Sequence, residues 1–137
     1  MLKGDDNAKR RLRHKVAQED FTPPSVVEML YESCPDSYVD FSIIVTDPCC
    51  GTGNLLVSCL RHRLEHCNSE DDVLRALGTI YGTELYPDNV LECKKRLLDL
   101  SCGLFFGIKE KAQNIIERNI LCTVWRLLKN KEIISEF

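Results

Sequence analysis

The sequence changes its hydrophobic period around one short stretch, Asp47-Pro48-Cys49-Cys50-Gly51-Thr52-Gly53-Asn54. The run before it, Ser42-Ile43-Ile44-Val45-Thr46, is apolar and β-branched. The run after it, Leu55-Leu56-Val57-Ser58-Cys59-Leu60, follows a helical pattern. A strand, a turn with two glycines and an amphipathic helix form the unit by which an α/β sheet presents a ligand loop at the ends of its strands. Gly51 and Gly53 have no Cβ, so the backbone there can approach a ligand closely and take dihedrals that other residues resist. Asn54 is expected to cap the following helix, whose unpaired N–H groups and positive dipole end favour an anionic group.

The loop does not match a dinucleotide fingerprint, because Leu56 stands where a third glycine belongs. Asp47, at the expected strand end, would repel a phosphate and suits a cation. S-adenosylmethionine carries an ammonium and a sulfonium beside a carboxylate. An acid next to a helix N-terminus matches both kinds of charge.

At 137 residues the chain is one domain, long enough for a core. Its hydrophobic share of 44% and mean hydropathy of −0.19 describe a soluble globular protein. No apolar run reaches the ~20 residues of a membrane span. Met1-Leu2-Lys3-Gly4-Asp5-Asp6 lacks the apolar block of an export signal, so a cytoplasmic location is expected. The eight cysteines lie mostly inside apolar patterns and include no Cys-x-x-Cys pair. They are expected to be reduced and to pack as small hydrophobes, with neither disulfides nor a metal site. Cys49 and Cys50 stand apart because they lie in the loop. The net charge of −3 gives no general attraction to nucleic acid. Lys9, Arg10, Arg11, Arg13, His14 and Lys15 nonetheless make residues 1–20 a basic polar arm, a candidate contact for DNA phosphates.

Residues 21–137 then read as alternating helices and strands. Thr22 as N-cap and Pro23 at the first helical position start a helix with an apolar face of Val26, Val27, Leu30 and Tyr31, and Pro35-Asp36-Ser37 end it. A first strand covers Ile43 to Thr46, and the helix after the loop runs to about His66. Ser69 caps a short helix through Leu77. A second strand, Thr79 to Glu84, precedes a helix opened by Pro87 and Asp88, with Val90, Leu91, Leu97 and Leu98 inward, that ends near Gly103. Leu104 to Gln113 is read as a connector and Ile115 to Cys122 as a third strand interrupted by Glu117-Arg118-Asn119. Alternating strands and helices predict a parallel sheet with right-handed crossovers.

A carboxylate at the end of the second strand, Glu84, commonly accepts ribose hydroxyls in such sheets, and Leu85 and Tyr86 are placed to flank an adenine. Three segments together, Phe21-Thr22-Pro23-Pro24, Asp47 through Leu56, and Tyr81-Gly82-Thr83-Glu84-Leu85-Tyr86-Pro87, resemble the N-terminal half of S-adenosylmethionine-dependent, adenine-specific (N6) DNA methyltransferases. The resemblance covers about residues 19–125. It implies a Rossmann-like fold with a partial parallel sheet of three to four strands, DNA methylation, and a role in restriction–modification. It also implies that Phe21, Thr22 and Pro23 lie over the methionine portion, and that Asp47, Pro48, Cys49, Gly51, Gly53, Asn54 and Leu55 line the methionine and ribose. Glu84 would hold the ribose hydroxyls, with Leu85 beside the adenine.

The family's Asn/Asp/Ser-Pro-Pro-Tyr/Phe motif, which holds the flipped base, has no counterpart: the one Pro-Pro is Pro23-Pro24. Nor does an acidic residue follow Cys122-Thr123 to receive the adenine amino group. The expected function is therefore the cofactor-binding part of such an enzyme, without catalytic residues of its own. The alternative is a non-catalytic S-adenosylmethionine-binding regulatory or remnant module. Lys131 to Phe137 is open to two readings, the start of a fourth strand or part of a terminal helix. In the full fold the strand order is three-two-one-four. The free edge of the first strand is thus expected to be covered by the C-terminal segment, a second copy or a separate subunit.

Overall fold

A computed structural model describes residues 23–40 and 42–124. In chain order these form α1 (Pro24–Ser33), α2 (Pro35–Val39), β1 (Val45–Asp47), α3 (Asn54–Leu64), α4 (Glu70–Gly78), β2 (Ile80–Glu84), α5 (Pro87–Cys102), a short 3-10 turn (Phe106–Ile108), α6 (Lys109–Asn119) and β3 (Ile120–Cys122). The strands make one parallel sheet in the order β1-β2-β3, with Val45 opposite Ile80 and Gly82 opposite Ile120. This is the α/β, Rossmann-like arrangement expected from the sequence, with helices flanking a three-stranded sheet. Both crossovers step the same way across the sheet. Right-handed connections therefore carry their helices to one face, where α3 packs on α5 and α5 on α6.

Several boundaries depart from expectation for local reasons. Helix α1 is capped by Pro23 in extended backbone and begins at Pro24, because a residue before proline is disfavoured in the helical region. The same rule at Cys34 ends α1. Pro35 then does not close a helix but opens α2. Ile43 stays outside β1: its N–H donates to Asp40 O and its carbonyl accepts from Arg63. Helix α3 stops at Leu64 rather than His66. The connector and interrupted strand read across 104–122 are mostly helix. Ala112 and Ile116 lie buried four residues apart, while Glu110, Lys111, Glu117 and Arg118 face out, a 3.6-residue period that two adjacent isoleucines disguise. On α5 the inward stripe is Val90, Cys93 and Leu97, whereas Leu91 is 67% exposed. Ser69 caps α4 as expected, accepting from the Asp72 N–H.

The core joins Leu56, Cys59 and Leu60 of α3 to Val73, Ala76 and Leu77 of α4, Ile80 of β2, Leu97 of α5 and Ile116 of α6. All eight cysteines are free thiols, and Cys50, Cys59 and Cys93 are buried within the core. Tyr31 stacks on His62 at 3.6 Å between ring centroids, and Tyr38 meets both edge-on. Burial pushes the Tyr38 hydroxyl up to about 12. Among the described residues no helix is long and apolar enough to cross a membrane.

Arg63, near the end of α3, is fully buried. Its Nε donates to Tyr38 O, its Nη2 to Ser37 O and Ile43 O, and its Nη1 to Thr79 Oγ1. One guanidinium thereby satisfies carbonyls in α2 and in the lead into β1, together with the residue that precedes β2. Arg63→Met keeps much of the packed stem but removes the guanidinium donor from three carbonyls, one buried and two partly buried. Urea unfolding of the full chain is expected to show a loss of about 3–5 kcal/mol.

Candidate functional site

In an open parallel sheet, ligands bind beyond the carboxyl ends of the strands. Here those ends carry Asp47, Glu84 and Cys122. The loop after β1 is fastened to β2 past the end of their pairing. The Cys50 N–H donates to Thr83 O at 2.9 Å, and Thr83 Oγ1 donates to Pro48 O at 2.6 Å. Gly82 admits this contact, since a Cβ there would lie 2.8 Å from Leu56 Cδ1 and 3.1 Å from Cys50 Sγ. The turn then reverses through Gly51 at φ 56° and Gly53 at φ 92°, values that favour glycine. A side chain at Gly53 would also meet Cys93 Sγ at 2.7 Å.

Gly53, not Asn54, occupies the N-cap of α3: its carbonyl accepts from Val57 N–H at 2.7 Å. Asn54 is the first helical residue, and its Oδ1 accepts from Arg96 Nη1 at 2.8 Å. That same nitrogen donates to Thr52 O, also at 2.8 Å. The sequence-expected capping role of Asn54 is therefore corrected. Glycine takes the cap because the turn needs a positive φ there.

Asp47 is half-buried, and its Oδ1 accepts from Cys49 N–H at 3.1 Å. Burial raises its carboxyl above the usual range. The Cys49 bond acts against that, and the nearby Glu84 charge adds to it. Glu84 is buried, with its Oε2 accepting from Tyr86 N–H at 2.9 Å and Asn89 Nδ2 at 3.1 Å. Its Oε1 accepts no hydrogen bond among the described residues. Leu85, 55% exposed, follows at the rim, and its carbonyl lies 3.6 Å from Cys122 Sγ. Cys50 is buried, and its thiol is pushed up by a hydrogen bond with Cys93 and by burial.

Of the sequence-predicted site residues, Asp47, Pro48, Cys49, Gly51, Gly53, Asn54, Glu84 and Leu85 thus gather at one end of the sheet. Cys49 is exposed there, and Leu55 is partly buried against the core. Pro23 is exposed at the start of α1, and Phe21 and Thr22 lie outside the described residues. Sequence reasoning missed Thr83, Asn89 and Arg96. Asn89 had one available signal, a short amide two residues inside a proline-started helix that follows an acid-tipped strand. Among the described residues no group of three or more His, Cys, Asp or Glu could hold a metal ion.

A family model described as N-6 DNA Methylase matches residues 9–124. The chain belongs to the N-6 DNA methylase family. No curated protein and no solved structure matches it. The family match spans the whole described sheet and both carboxylates, which makes this strand edge the place to look for the family's chemistry.

Because the folded state raises the Asp47 pKa, ionising Asp47 costs stability. That cost is absent below the ordinary value of 3.8 and present above the raised one. Asp47→Asn is therefore expected to raise the melting temperature at pH 7, with the gain shrinking to nothing as the pH falls below the ordinary aspartate range. Paired thermal scans of both proteins across pH 3–8 check this.

Proposed function

We propose that this chain is the S-adenosylmethionine-binding part of a DNA adenine-N6 methyltransferase. The observation that carries the proposal is the Glu84 carboxylate, buried at the strand end with Oε2 engaged by the protein and Oε1 left over. An oxygen in that state suits ribose hydroxyls, each worth roughly 1.5–3 kcal/mol as a charge-assisted bond. The second support is the raised Asp47 pKa, which comes chiefly from burial and in lesser part from the Glu84 charge: a cationic ligand would offset both, and the ammonium and sulfonium of S-adenosylmethionine are cationic. When bound, that sulfonium supplies the methyl group. The residues that would hold it are Asp47 and the Gly51–Gly53 backbone at the methionine end, Glu84 at the ribose and Leu85 at the adenine, with Pro23, and Phe21 and Thr22 outside the described residues, assigned to the methionine portion by the family resemblance.

A second reading, binding without transfer, rests on a specific fact. The Asn/Asp/Ser-Pro-Pro-Tyr/Phe motif does not occur in these 137 residues. In the first reading, that motif and the base-reading surface come from other residues, in a bipartite enzyme. Among the described residues strand β1 pairs with β2 alone, and its other edge would be the docking line for such a part. Lys9 to Lys15, outside the described residues, would then contact DNA phosphates.

Calorimetric titration with S-adenosylmethionine tests the site, and labelled methyl transfer to adenine-containing DNA tests the chemistry. Binding is expected for the unaltered chain, and Glu84→Ala is expected to weaken it by about tenfold or more. Unchanged affinity removes Glu84 from the site. Binding without transfer favours the second reading. Transfer restored by a polypeptide carrying the missing motif favours the first.

A further inference from the structure

We infer that Arg96 is a positioning residue for the glycine loop, holding it in the conformation that receives the cofactor. The inference rests on the S-adenosylmethionine reading above. Arg96 lies on α5, far along the chain from the loop, yet its Nη1 donates to both Thr52 O and Asn54 Oδ1 at 2.8 Å. These bonds bracket Gly53, the residue at φ 92°.

The peptide unit joining Thr52 to Gly53 is held at both of its polar groups. Its carbonyl accepts from Arg96, and its N–H donates to Cys50 O at 2.8 Å. Glycine at a positive φ has little intrinsic preference for that conformation over its mirror region. A flip of this peptide would turn the Thr52 carbonyl and the Gly53 N–H through the loop that the ligand must meet. With both ends tied, a flip breaks a charge-assisted bond and a backbone bond together. The lock is built before any ligand arrives, so the ordering cost is not charged to binding.

A purely structural reason for this arginine is weak. A guanidinium at the start of α3 opposes the helix dipole, which favours anions at that end. Arg96 is only partly buried. Its polar contacts are to the loop and to the first residue of α3.

The test uses the full chain and two variants, with S-adenosylmethionine calorimetry beside amide hydrogen exchange measured without ligand. Arg96→Met keeps the stem and removes the donors. It is expected to weaken binding by about tenfold or more and to speed exchange at the Gly53 amide about as much, while amides of Ile80–Glu84 keep their rates. Arg96→Lys is expected to recover most of the affinity, because both bonds leave a single nitrogen that an ammonium can replace. The inference is overturned if Arg96→Met binds within about twofold of the unaltered chain, if exchange in β2 rises equally, or if the lysine variant is as weak as the methionine one. Should Arg96→Met fail to fold, Arg96→Gln takes its place under the same criteria. Absence of binding by the unaltered chain overturns the cofactor reading and this inference with it. Binding that survives loss of the guanidinium overturns the inference alone.

Discussion

Two hydrogen bonds tie the segment after β1 to the penultimate residue of β2: Cys50 N–H to Thr83 O, and Thr83 Oγ1 to Pro48 O. They carry the contact between the strands beyond the ladder, which ends with Asp47 opposite Gly82. Without them the loop would leave the sheet at Pro48, and the Gly51–Gly53 turn would have no fixed relation to Glu84. The clasp needs a strand residue without a side chain, and Gly82 provides it where Leu56 and Cys50 press in. Glycine inside a strand is ordinarily a weakness. Here it is the condition for bringing loop, helix and strand together.

The two ends of the sheet are held by different chemistry. At the amino end, Arg63 collects carbonyls from α2 and from the lead into β1, and also bonds the side chain of Thr79. That cation is surrounded by neutral acceptors, so it is satisfied and spent. At the carboxyl end two acids lie near each other, burial already disfavours the ionised form of Asp47, and the cation there, Arg96, bonds Thr52 O and Asn54 Oδ1. One end is therefore a closed network, and the other is electrostatically incomplete. On the proposed reading, the incomplete end is where a cationic ligand would lower the energy of the fold.

Much of this was legible because it is local. Proline at 87, serine at 69 and the Gly-x-Gly turn announce their structures through dihedral and capping preferences that neighbours barely alter. The acid-tipped second strand also stood out, since Glu84 breaks a β-rich run just before a helix start. What failed depended on distant partners. Nothing in the local sequence marks Arg63 for burial; only carbonyls delivered by other segments hold it inside. Nothing in Lys94-Lys95-Arg96 points back to Thr52, which Arg96 reaches only in the fold. The α6–β3 junction was misread because Ile115 and Ile116 resemble a strand until Ala112 is seen on the same buried face.

The central claim is that the carboxylate of Glu84 and the clasped glycine loop form one nucleoside site. It is tested most directly by a crystal structure of this chain grown with S-adenosylmethionine. The account predicts ribose hydroxyls on Glu84 Oε1, with the methionine end beside Asp47 and the backbone of Gly51 and Gly53. Clear density for the nucleoside elsewhere on the molecule, with Glu84 still engaged only by Tyr86 and Asn89, would contradict it.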